Sequence, residues 1–227
     1  MDLRKTDPEF AEIIDKFMND EVPNEKGQTL DDKTRYIAIT ATMLGCGGID
    51  AFKQKIPEIL GAGVTPIELK EIIYQATDYL GYARMLPFLI AANEYFEKSG
   101  IALPLEKQGT VSADTRLEKG IDAQAEIFGE QMRAAWKAGH INKWLADNCF
   151  GDYYTRSGLN LARREMVTFC FLSAQGGCEP QLIAHAKGNM NMGNDKEFLV
   201  KVVSQCLPYI GYPRSLNAIN CINKAAE

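Results

Sequence analysis

Apolar residues recur along this chain mostly at the three- and four-residue spacing of a helix. Ile37, Thr40, Ala41 and Leu44 fall on one helical face, and Leu69, Ile72, Ile73 and Ala76 on another that continues to Leu80. Strand-like alternation bounded by hairpin turns is absent. Start signals agree with the periodicity: Thr65-Pro66-Ile67-Glu68 combines a cap, a first-turn proline and the glutamate of a capping box. Asn194 and Glu197 keep that spacing later in the chain, shifted by one residue. The pattern predicts an all-α protein with helices at 31–45, 50–62, 66–79 and 83–97, and again at 160–175, 179–192, 195–207 and 213–225. Helical lead-ins are expected at about 7–19 and 115–149.

The two sets of four helices are one segment written twice. Residues 33–97 and 163–227 align without a gap, matching Gly47 to Gly177, Gly63 to Gly193, Gln75 to Gln205 and Asn93 to Asn223. Their strongest stretch pairs Tyr79-Leu80-Gly81-Tyr82-Ala83-Arg84 with Tyr209-Ile210-Gly211-Tyr212-Pro213-Arg214. A repeat of this length implies a duplicated helical unit. We therefore expect an N-terminal unit at 1–99, a linker at 100–114 and a C-terminal unit at 115–227, the units being related by a pseudo-twofold axis. The copies diverge where chemistry is easiest to place. Glu165, Cys178 and His185 in the second stand opposite Arg35, Gly48 and Lys55 in the first. The site is expected on residues 160–214, with 33–97 as its packing partner.

Composition narrows the function classes. The chain has 227 residues and a net charge of −5, with 24% charged and 46% hydrophobic residues. An acidic surface argues against general binding to nucleic acid or anionic membranes. No apolar run approaches the roughly 20 residues that span a bilayer. The polar start, Met-Asp-Leu-Arg-Lys-Thr-Asp, lacks an apolar signal region. Six cysteines without a Cys-x-x-Cys pair read as reduced thiols, so a cytoplasmic location is expected. Two distant histidines offer no metal-ligand spacing, and no phosphate loop appears. No cofactor is expected.

Candidate residues each carry a plainer alternative. His185 can move a proton near neutral pH, or be a hydrogen-bonded core histidine. Glu165 can orient that imidazole from the preceding helix, or pair with Arg156, Arg163 or Arg164. Cys178 sits near a helix start, where the dipole lowers a thiol pKa, or it is an incidental thiol. At a rise of about 1.5 Å per residue, Cys178 and His185 lie roughly 10 Å apart along the axis, beyond direct bonding. Cys46 lies in the matching junction and faces Cys178 only if the repeats pack that way. Lys55 holds an anion or is solvated. Arg84 and Arg214 bind an anion or brace a helix start. Cys170, Cys206 and Cys221 fall on apolar stripes.

The second copy resembles the carboxymuconolactone decarboxylase family, which shares its fold with alkylhydroperoxidase D. The resemblance rests on Arg164-Glu165, Gly176-Gly177-Cys178-Glu179-Pro180-Gln181-Leu182, His185, Gly193 and Pro208 through Arg214. It covers most of 145–227 and is weaker over 30–98. It implies two tandem units of six helices. Because single-unit members form ring-shaped hexamers, it also implies a homo-oligomer, a trimer of two-unit chains.

The resemblance implies a lyase acting on a small cyclic lactone or related carboxylic acid. In that reading His185 is the acid or base, Glu165 its partner, and Arg164, Arg214 and Gln181 contact the substrate. The alternative is a thiol peroxidase using Cys178. Its second cysteine would stand at position 181, which is glutamine. A third reading is an oligomeric protein that binds a small ligand without catalysis.

Overall fold

The computed structural model describes residues 3–227, so the polar start read for a signal region begins outside the described residues. Helices account for most of the chain, and no strand occurs among the described residues. Besides short helical turns at Leu3–Thr6 and Val22–Asn24, the helices of the first half are α1 (Pro8–Lys16), α2 (Asp32–Cys46), α3 (Ile49–Gly61), α4 (Pro66–Leu80) and α5 (Tyr82–Lys98). The second half has α6 (Arg116–Phe128), α7 (His140–Trp144), α8 (Leu161–Gln175), α9 (Glu179–Asn191) and α10 (Lys196–Ala225). A wide-turn π segment, Leu145–Tyr154, continues α7. No helix is long and apolar enough to cross a membrane among the described residues.

The helix starts follow their side chains. Thr65 accepts from the Glu68 N–H at 3.1 Å while Glu68 accepts from the Thr65 N–H at 2.9 Å, closing the expected capping box. In the second copy the cap is Asp195, in register with Thr65, accepting from the Phe198 N–H at 2.7 Å. Asn194, expected to cap that helix, instead donates to the Ala162 carbonyl and to Asn189 Oδ1. The two helices expected at 195–207 and 213–225 run on as α10, broken at Gly211, whose φ of 74° interrupts the helical backbone. Glycine tolerates that left-handed angle without a Cβ clash.

The units share one core rather than two. Ile37, Met43 and Leu44 of α2 are buried in the same cluster as Val167, Phe169 and Phe171 of α8. The two helices meet at Gly45, where a Cβ would stand 2.7 Å from Ala174 Cβ and 2.8 Å from the Phe171 carbonyl. α4 also packs on α8, and α10 on α2, so each copy lays a helix against the other. Interdigitation of this kind brings first-unit side chains to the second unit's site.

Candidate active site

The second-copy site is built where α8, α9, α6, α4 and the π segment meet. Asn160 caps α8 by accepting from the Arg163 N–H at 2.9 Å, and α8 carries Glu165 inward with no exposed surface. α9 returns antiparallel and sets His185 Nδ1 2.9 Å from Glu165 Oε2. Gly188, one turn on, allows this approach: a Cβ there would lie 2.6 Å from Glu165 Oε2 and 2.9 Å from both Ile127 and Phe128. Asn189 Nδ2 ties the helices together by donating to the Glu165 carbonyl at 2.9 Å and the His185 carbonyl at 2.8 Å.

Hydrogen bonds converge on the Glu165 carboxylate. Tyr154 of the π segment donates its hydroxyl to Glu165 Oε1 at 2.9 Å. With that proton committed, the Tyr154 oxygen accepts from Tyr79 at 2.8 Å and from Thr168 at 2.7 Å. Gln75 Nε2 donates to Thr168 Oγ1 at 2.8 Å, and the Cys149 thiol donates toward Tyr79 at 3.7 Å. An ionised carboxylate only accepts, so a neutral imidazole facing one carries its proton on Nδ1. The Nε2 lone pair is then left for a reacting group. The rings of Tyr79 and Phe128 stand edge-on to the imidazole, with centroids 5.5 and 5.3 Å away.

Burial keeps the rest of the network protonated. It pushes the hydroxyls of Tyr79 and Tyr154 and the Cys149 thiol well above their ordinary values. Asp78 lies at the far edge, beside Cys149, with Oδ2 buried and without a hydrogen-bond partner, and burial raises its carboxyl to about 7. Tyr79 and Asp78 come from the first unit, so the site is composite and not confined to residues 160–214. The sequence reading missed Tyr79, Tyr154, Thr168, Cys149 and Asp78. Tyr79 carried one usable signal, its recurrence as Tyr209.

Several expected site residues stand elsewhere. Arg164, expected to hold a substrate anion, has no exposed side-chain surface. It donates to Glu71 Oε2 at 2.9 Å, Gln75 Oε1 at 3.0 Å and the Arg156 carbonyl at 2.8 Å. Arg156 also binds Glu71, and Arg163 binds Glu68, so the arginines weighed as partners for Glu165 take other carboxylates. Gln181 is exposed on α9. Arg214 is exposed beside Gly176, at the α8–α9 turn rather than at His185.

Cys178 was read either as a thiol acidified by its helix start or as an incidental one. Burial instead raises its pKa, against a weaker lowering by the Gln175 amide. Its thiol faces the Leu172 carbonyl at 3.6 Å, while Cys46 faces the Met43 carbonyl at 3.5 Å. All six cysteines are free thiols, and Cys170, Cys206 and Cys221 are buried. In the first copy Lys55 pairs with Glu58 at 2.6 Å and Arg35 donates to Gln205 at 2.9 Å. Arg84 braces the end of α2 by donating to the Gly45 carbonyl at 2.6 Å. Among the described residues no group of three His, Cys, Asp or Glu side chains is placed to hold a metal ion.

The paired helical units match a family model twice, at residues 8–94 and 140–224: the carboxymuconolactone decarboxylase family. The chain belongs to this family. It is also similar to a 4-carboxymuconolactone decarboxylase of Acinetobacter baylyi (strain ATCC 33305 / BD413 / ADP1), 26% identical over 113 residues. That alignment covers 47% of this chain and 84% of the relative. The carboxymuconolactone decarboxylase fold is thus present in tandem, and His185 and Glu165 face each other within its second copy.

Proposed function

We propose that the protein is a carboxy-lyase that removes CO2 from a small unsaturated lactone acid by acid–base chemistry at His185. The observation that carries this reading is the buried Glu165–His185 pair, which engages Nδ1 and leaves Nε2 without a bond to the carboxylate. The bond from the substrate carbon to its carboxylate breaks, and CO2 departs. The electron pair spreads into the conjugated lactone carbonyl. His185, having taken a proton from solvent on Nε2, delivers it to that carbon and returns to the neutral ring. Glu165 supports the transient imidazolium electrostatically and fixes the ring, while Tyr154 and Tyr79 fix Glu165.

The thiol-peroxidase alternative draws less support. Cys178 is not acidified, and Gln181 stands where a resolving cysteine would be needed. Family membership and the Acinetobacter relative support the lyase class, and 4-carboxymuconolactone is the substrate to test first. CO2 release from that lactone by the purified protein is the expected result. Failure to release CO2, together with oxidation of Cys178 by mild peroxide seen by mass spectrometry, would favour the thiol reading instead.

A further inference from the structure

The segment joining the two units helps to build a pocket. Leu103 to Gln108 fold back over α4 and, with Arg156, line a half-open cavity of about 430 Å³. Lys70 of α4 lines it and is only 8% exposed. Its Nζ lies 6.0 Å from the ring centroids of both Tyr74 and Phe96, and no carboxylate of the described residues is within ion-pair distance of it. The neighbouring acid, Glu71, is already bound by Arg156 and Arg164. Arg156 sits over the same Tyr74 ring, 5.4 Å from its centroid.

A buried ammonium without an ion-pair partner is costly, and an anion placed on it recovers part of that cost. Burial accordingly lowers the Lys70 pKa. Beside the charge stand Tyr74, Ile67 and Leu103, a surface for a flat apolar body rather than for a hydrated inorganic ion. We propose that this cavity binds a small organic carboxylate, with its acid group on Lys70 and its apolar body against Tyr74 and Ile67. The site is independent of the chemistry proposed at His185. Lys70 and Tyr79 are nine residues apart on α4, about 13 Å by helical rise. The second copy has no counterpart of the site's lysine and tyrosine, since Lys70 and Tyr74 align with Val200 and Ser204.

Benzoate is a suitable probe and benzamide its uncharged counterpart. Calorimetric titration of the full chain should show benzoate binding, no comparable benzamide binding, and benzoate affinity weakened at least about tenfold in Lys70→Met. His185→Gln should bind benzoate as the wild type does, which separates this site from the reaction site. In the wild type, benzoate should also slow acylation of Lys70 by an amine-reactive reagent, read by mass spectrometry, so the test survives if Lys70→Met does not fold. The proposal is overturned if benzoate fails to bind, binds Lys70→Met equally well, loses its binding in His185→Gln, or leaves Lys70 acylation unchanged. Equal binding of benzamide overturns it as well.

Discussion

His185 Nδ1 and Glu165 Oε2 lie 2.9 Å apart although they come from different helices, because Gly188 lets α9 close on α8. The residue without a side chain thus sets the geometry of the two that have one. Gly188→Ala should push Glu165, Ile127 or Phe128 out of place, costing about 1–3 kcal/mol of stability. Urea denaturation measures the cost. Turnover should fall further than stability explains, since the displaced atom is Glu165 Oε2.

Tyr154 is the second support. Tyr154→Phe removes a donor to Glu165 and an acceptor shared by Tyr79 and Thr168, which should destabilise the fold by about 1–3 kcal/mol. Tyr153→Phe, one residue earlier and half-buried, is the control and should be close to neutral. Equal denaturation midpoints for the two variants would contradict the network.

Asp78 gives a pH signature. Its carboxyl is raised from the usual 3.8 to about 7 by burial, with Asp152 adding repulsion and Cys149 partly offsetting both. The folded state therefore holds this proton more tightly than the unfolded chain. Stability from this group is greatest below pH 3.8 and falls as pH rises toward about 7. Asp78→Asn should leave stability unchanged in acid and raise it above neutral pH. Thermal unfolding across pH checks this, and a variant destabilised above neutral pH would contradict the assignment.

Arg164 should behave as a structural cation. Replacing it with Met leaves Glu71 short of one partner inside the unit interface, and losing a buried ion-pair partner costs about 3–5 kcal/mol. Unfolding by urea is the measurement. A variant of wild-type stability with impaired substrate binding would instead restore Arg164 as a substrate contact.

Much of the architecture was legible in the sequence because its signals are local. Helical periodicity, the Thr65–Glu68 box and the recurring glycines each act within a few residues, and the repeat announced the pairing of units. The His185–Glu165 contact was also within reach, since two antiparallel helices around Gly176-Gly177 bring such positions together. Other features depended on residues far apart in the chain. Arg164 meets Glu71 from 93 residues away, so no spacing rule could show that its charge is spent inside the protein. Tyr154 lies ahead of the repeat, on a π segment whose wider turn redirects its side chains, and Tyr79 arrives from the other unit. The thiol of Cys178 illustrates competing effects: the helix start favours the thiolate, but burial outweighs it.

The most direct measurement is CO2 release from 4-carboxymuconolactone by the wild type, His185→Gln and Cys178→Ser, assayed side by side on folded protein. Loss of turnover in His185→Gln, with Cys178→Ser close to wild type, is the predicted result. Full turnover in His185→Gln, or its loss in Cys178→Ser alone, would contradict acid–base chemistry at His185.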